Sequence, residues 1–385
     1  KKFNPYNLMG KLIGWWDSED PYANNGAGVP QSVTNTGANL RVDRWVDKSY
    51  TGTDFIQTAV SNMPRFGVGK PTAFSVTTAS SGMYGGVSGT FGNIRTIAVT
   101  TANPFYFSTN SPIVDFTLTS GGVLASINSV QGGVSCTVGD VFRTAYYDGV
   151  IFGDQGDRIT VTEVSNQGCM DFNNSGQMQT ELQSNLPTSF RLFICGALSL
   201  DELDSALDEP FFSIVDQDGT DHLYIWQEND TQNDSGIAVD DTVGKVTYKD
   251  SGGNTVTAGS WTVQSTGRDI VEVEVTPTSV GVSQGTTSTI LSTSTAPDLP
   301  ESYKLQIGNS STKLDAFEII LIDETNGQLS TDERLGLKKY LNNKWNTLGS
   351  TTEVDADLFN NAHKISPREP LQMVKMYLDE CDNVF

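Results

Sequence analysis

Glu272 and Glu274 stand two residues apart in the alternating run Val271-Glu272-Val273-Glu274-Val275, which puts both carboxyls on one face of a strand. Two carboxyl groups about 5 Å apart can hydrolyse a glycosidic bond, one as general acid and the other as nucleophile. His222 and Tyr224 are spaced in the same way, an imidazole and a phenol that could move protons between them. Packing or a hydrogen bond is the expected fate of that pair. The acidic string at 201–209 shows no strand alternation and reads as a loop or helical turn. A third group, Asp17, Asp20, Asp43 and Asp47, offers loop carboxylates of the kind calcium takes in sets of six to eight oxygens. The alternative for Asp17 and Asp47 is to cap turns by bonding backbone N–H groups, and this is the expected role.

Other chemistry is poorly provided for. With His222 and His363 as the only imidazoles, a histidine-based zinc site is disfavoured. Cys136, Cys169, Cys195 and Cys381 are widely spaced and read as reduced, buried thiols. No phosphate-cradling glycine loop, Ser/His/Asp signature or Cys-x-x-Cys pair is present. A net charge of -22 argues against a nucleic-acid partner, because phosphate binding draws on basic patches. No run of apolar residues is long enough to span a bilayer, so membrane insertion is not expected.

Short β-branched and aromatic runs separated by Gly, Asn and Asp turns dominate the chain, which predicts an all-β protein. Expected strands include 12–16, 190–197, 211–215, 222–226, 244–248, 269–275 and 317–322, with Val271 to Val275 buried on its valine face and wet on its glutamate face. One helix is announced by Ser330-x-x-Glu333, a capping box, followed by Leu337, Tyr340, Leu341 and Trp345 at helical spacing. A second, in the tail, places Leu371, Val374, Tyr377 and Leu378 on one side.

Two distant segments carry a resemblance. Gly14-Trp15-Trp16-Asp17 with Val42-Asp43-Arg44-Trp45-Val46-Asp47-Lys48-Ser49 opens the chain, and Glu318 to Asp323 with Lys339-Tyr340-Leu341-Asn342-Asn343-Lys344-Trp345 closes it. Together they resemble the concanavalin A-like (laminin-G/pentraxin type) jelly-roll domain of bacteriophage structural proteins. The aromatic-plus-Asp segment expected after Phe66 comes only at Cys169-Met170-Asp171-Phe172, and the Gly- and Thr-rich interval between them reads as an insertion. The expected organisation is a discontinuous jelly roll (1–66 and 167–346), an inserted β-rich domain (67–166), and a linker with a helical tail (347–385). Within this resemblance Trp15, Trp16, Asp17, Asp43, Trp45, Asp47, Lys48, Tyr340 and Trp345 are structural, with sugar stacking by the tryptophans as the alternative.

The resemblance implies a virion structural protein, a spike, fibre or decoration on head or tail. Such a protein would be assembled in the host cytoplasm, bind other virion proteins, form a homo-oligomer (a trimer by analogy) through the tail, and meet host-surface glycans. No cofactor is expected, calcium being the one ion the loop acids would suit. The missing signal peptide fits release by lysis and speaks against the second reading, a secreted lectin. A third reading, a polysaccharide-degrading enzyme, is disfavoured because enzymes on this sandwich carry a middle Asp where Val273 stands, so no enzymatic activity is expected.

Overall fold

The computed structural model describes residues 3–18, 40–67, 71–77, 89–98, 113–119, 124–131, 136, 138–147, 150–151, 158–164, 168–172, 176–198, 209–227, 243–262, 269–285, 290–309 and 314–345. Among the described residues its architecture is nearly all-β: two antiparallel sheets packed as a sandwich, a smaller third sheet inserted in the chain, and one α-helix.

The first sheet centres on Leu314–Asp323, the longest strand of the sandwich, in which every residue but Asp323 is buried. Phe190–Leu198 lies along one side of it, and Leu12–Asp17 and Cys169–Asp171 lie end to end along the other. Asp269–Thr276, Ser279–Gln284 and Leu291–Thr293 extend the sheet beyond Phe190–Leu198. Arg65–Gly67 and Leu40–Arg41 extend it beyond Cys169–Asp171. The second sheet runs Thr255–Thr262, Val243–Lys249, Asp221–Gln227, Glu209–Asp216, Ser302–Ile307, Met178–Thr180, Phe55–Ile56 and Arg44–Trp45.

Alternation along these strands makes two cores. One face of each sheet meets between them, burying Trp16, Trp45, Phe55, Phe190, Phe212, Leu223, Ile225, Val271, Val273 and Ile319. The outer face of the first sheet buries Trp15, Phe193, Ile320 and Ile322 against Leu337, Leu341 and Trp345 of the helix Thr331–Trp345. Because both faces of Leu314–Asp323 are covered, its sequence is a continuous apolar run rather than an alternating one. The helix starts as its sequence signals. The backbone N–H of Glu333 donates to Ser330 Oγ at 3.2 Å, and the Glu333 carboxylate accepts from the Ser330 backbone at 2.8 Å.

The inserted sheet runs Pro71–Thr77, Arg158–Val164, Val141–Tyr147, Gly89–Ala98, Ile113–Leu118 and Leu124–Gln131, with Val150–Ile151 on Val141–Tyr147. It has its own core of Val114, Phe116, Leu124, Cys136, Phe142, Ile159 and Val161. Gly67 and Cys169 are register partners on neighbouring strands, so the insertion leaves and returns at adjacent points of the first sheet. That closeness of ends is what lets a domain be inserted without disturbing its host. Cys136, Cys169 and Cys195 are buried and form no disulfide, and burial pushes the Cys136 thiol up to about 12. Cys381 and the tail residues Leu371, Val374, Tyr377 and Leu378 lie outside the described residues, as do Asp20 and the string at 201–208.

One expectation is corrected. The glutamate face of Asp269–Thr276 is not wet, because the helix lies over it and Glu272 is fully buried.

Candidate functional site

The first sheet's outer face is a sealed charge network. Arg191, on Phe190–Leu198, donates from Nη1 to Glu272 at 2.6 Å, from Nε to Glu324 at 3.0 Å, and from Nη2 to Glu274. Lys338 descends from the helix to within 2.5 Å of Glu272, and Ser283 Oγ donates to the same carboxylate at 2.6 Å. Burial works against the Glu272 charge, but Lys338, Ser283 and Arg191 outweigh it and hold the carboxyl below its usual range. Substrate cannot reach such a group. Glu272 clamps the helix to the sheet, Glu274 holds Arg191, and the two are excluded as an acid–nucleophile pair.

At the margin of this network burial pushes Asp269 up to about 7, against a bond from Gln284 that pulls it down. An ordinary aspartate titrates near 4. The folded protein therefore binds this proton more tightly than the unfolded chain, and stability falls as pH rises from about 4 to about 7. Asp269→Asn removes that dependence. Its unfolding free energy relative to wild type, from urea melts, is expected to rise between pH 5 and pH 8 by on the order of 1–2 kcal/mol given the partial exposure of the side chain.

The opening and closing motifs meet around Glu318. Its carboxylate accepts from Trp15 Nε1 at 2.7 Å, Trp345 Nε1 at 2.8 Å, Tyr340 Oη at 3.0 Å and Lys344 Nζ at 2.9 Å. Burial raises its carboxyl, Lys344 opposes that and Asp17 adds to it. Asp17 itself lies 3.1 Å from Lys48 and 2.7 Å from Lys344. Asp47 takes five hydrogen bonds: Trp15 N and Ser49 N at Oδ1, and Ser49 Oγ, Thr51 Oγ1 and Thr53 N at Oδ2. Trp16 and Trp45 are buried in the inter-sheet core against Phe55, where no sugar can stack on them. Asp43 is held apart from these groups, its Oδ1 buried without a partner. The oxygens of Asp17 and Asp47 are thus committed to ammonium and N–H or O–H donors. Among the described residues no set of His, Cys, Asp and Glu side chains converges as a metal cage.

Among the described residues no helix lies over the outer face of the second sheet, and the register builds a row across that face. Ile56 pairs Gln179, Gln179 pairs Gln306, Gln306 pairs Ser213, Ser213 pairs Tyr224, Tyr224 pairs Thr247 and Thr247 pairs Thr257. These positions alternate with core residues Met178, Leu305, Ile307, Phe212, Ile214, Leu223, Ile225, Val246 and Tyr248, so they share the outward face. Beside the row, Trp226 donates from Nε1 to Thr247 Oγ1 at 2.8 Å and carries the Lys245 ammonium 5.3 Å from its ring centre. Ser213, Thr247 and Trp226 are buried between larger neighbours, whereas Gln179 is exposed and Tyr224, Gln306 and Lys245 are partly so.

His222 does not join this face. A bulge, where Ile214 pairs Leu223 but Val215 pairs Asp221, breaks the expected alternation. Its Nδ1 donates to the Asp298 carbonyl at 2.7 Å and its Nε2 lies 3.3 Å from Asp216. It therefore ties the hairpin at 216–221 to the segment before Ser302–Ile307.

The sequence matches no protein-family model and no curated protein. Among solved structures, the receptor binding domain of botulinum neurotoxin D matches at 6% identity and TM-score 0.30, over 43% of this chain and 42% of that one. The chain thus spans about two fifths of that neighbour's length. The mannose-bound lumenal domain of VIP36 matches at 9% identity and TM-score 0.25, over 38% of this chain and 72% of that one. A Trypanosoma rangeli sialidase matches at 11% identity and TM-score 0.33, over 87% of this chain and 33% of that one. The expectation of a non-enzyme is corrected here. The sialidase is an enzyme, as are the matched alginate lyase and arabinofuranosidase, so the matched structures include catalysts as well as binding domains.

Proposed function

We propose that the chain is a glycan-binding jelly-roll module and that the outer face of its second sheet is the binding surface. The observation that carries this is the cross-strand row itself. The amides of Gln179 and Gln306 and the phenol of Tyr224, the accessible polar groups of the row, offer both donors and acceptors, which is what a ring of sugar hydroxyls requires. Tyr224 adds a rigid ring with a polar tip at the middle of the row. The sequence resemblance supports placing this module in a virion surface protein, with host-surface glycans as its target and the tail joining sister subunits. Light scattering on the purified chain tests the assembly, a trimer mass being the expected result.

Binding is tested by screening the protein against an oligosaccharide array and titrating the hits into wild type and a Tyr224→Ala/Gln306→Ala double variant. The variant should lose ten- to a hundredfold in affinity, since a central aromatic and its hydrogen-bonding neighbour are removed. Its melting temperature should hold, because neither side chain belongs to either core. Absence of any bound oligosaccharide would sink the reading. Cleavage of a bound one would make the same face a catalytic site, and the double variant would then lose turnover.

A further inference from the structure

Two carboxyl groups face each other across the first sheet. Asp17 and Glu318 are register partners on Leu12–Asp17 and Leu314–Asp323, and both are buried. Like charges directly opposite one another weaken a strand pair, and here a cation lies between them. Lys344 enters from the last turn of Thr331–Trp345. Its Nζ is 2.7 Å from Asp17 Oδ2 and 2.9 Å from Glu318 Oε2. Trp15, Tyr340 and Trp345 wall the same space, each donating to the Glu318 carboxylate. An amine, an acyl group and a second carboxyl in contact with the amine are what condensation to an amide requires.

We infer that Lys344 and Asp17 join in an amide bond, with Glu318 carrying the proton. The bond forms without any other reactant and ties the strand Leu12–Asp17 to the end of the helix. It is independent of glycan binding. The Lys344 ammonium gives one proton to Asp17 Oδ2, leaving a neutral amine against a neutral carboxylic acid. The amine lone pair attacks Asp17 Cγ, the C–N bond forms, and the carbonyl π electrons move onto Oδ1. Glu318, which touches Nζ, takes a second proton from the nitrogen and delivers it to Oδ2. The Cγ–Oδ2 bond breaks, the electrons on Oδ1 restore the carbonyl, and Oδ2 leaves as water. One ammonium and one carboxylate thus become one amide and one water, and Glu318 ends as the carboxylate it began as. Burial raises the Glu318 carboxyl, which suits it to hold a proton in passing. Lys48, 3.1 Å from Oδ2 and seated over the Trp15 ring, keeps its charge and steadies the departing oxygen. Contact between the reacting groups raises their effective concentration by orders of magnitude. The product also replaces a buried ion pair, which is costly to desolvate, by a neutral group.

The test is mass spectrometry of the full chain, purified folded and held in native buffer until its mass is constant. The expected mass is that of the sequence less one water. A tryptic digest should contain a branched peptide joining residues 12–41 to residues 340–364, uncleaved after Lys344, whose fragments place the branch at Asp17. Lys344→Arg keeps the charge but offers no lysine amine, and should show its full mass and no branch. Glu318→Gln keeps the shape but carries no proton, and should slow linking at least about tenfold. A wild-type chain at full mass overturns the inference. So does the same loss on a linear peptide, or a branch at Lys48 or between Lys338 and Glu272. A Glu318→Gln chain that links as fast as wild type overturns the role of Glu318. If that variant does not fold, the wild-type digest and Lys344→Arg decide.

Discussion

Glu272→Ala is expected to destabilise the fold by about 3–5 kcal/mol, the cost of stripping one partner from a buried ion network. Arg191 would keep Glu274 and Glu324. Lys338, wholly buried, would lose its ion pair with Glu272 while keeping the hydroxyl of Ser283 at 2.6 Å, and a buried ammonium stripped of its nearest counter-charge is the expensive species. The loss should appear as a lower urea midpoint and as faster hydrogen exchange across Thr331–Trp345, since Lys338 ties the helix to the sheet. Replacing both partners with apolar residues of similar shape, as in Glu272→Leu/Lys338→Met, should recover most of the stability. The pH dependence gives a second check. Because the folded Glu272 carboxyl lies below its ordinary value, the stability it brings is present above pH about 4 and is lost as pH falls further. The gap between wild type and Glu272→Ala should therefore narrow in acid. A gap that is constant down to pH 2.5 would mean the charge is not what holds the helix.

The same residue shows where the sequence stops being legible. Strict alternation at Val271 to Val275 correctly marks a strand with its valines inward, because period-2 patterning is local. It is silent on what covers the other face. The covering residues, Arg334 and Lys338, come some sixty positions later, and a glutamate facing water and a glutamate facing a helical lysine look alike in one strand. The capping box at Ser330 and the apolar spacing after it are local as well, and both hold in the structure. The outer face of the second sheet fails for the opposite reason. Its row takes Gln179, Gln306, Ser213, Tyr224 and Thr247 from five strands whose sheet order is not their chain order, so no window of sequence contains it. His222 and Tyr224, which spacing pairs, are separated by a bulge that leaves no mark in residue type.

Glu318→Ala is expected to be comparably damaging, by about 3–5 kcal/mol, for a different reason. Here one carboxylate binds donors from both ends of the chain: Trp15 on the strand Leu12–Asp17, and Tyr340, Lys344 and Trp345 on the helix Thr331–Trp345. Removing it takes this acceptor from two indole N–H groups and a phenol in a space where Trp15 and Trp345 are already buried, and each lost bond carries its own desolvation cost. Lys344 would fall back on Asp17 at 2.7 Å, so the indoles and the phenol bear most of the loss. Glu318→Gln should be intermediate, since its amide oxygen can still accept from one indole while its NH2 faces donors it cannot satisfy. If Glu318 is what couples the opening and closing motifs, hydrogen exchange at 12–17 and at 331–345 should quicken together in Glu318→Ala. Quickening at one end alone would mean that the two ends are held separately, each by its own packing, and that the carboxylate merely lies between them.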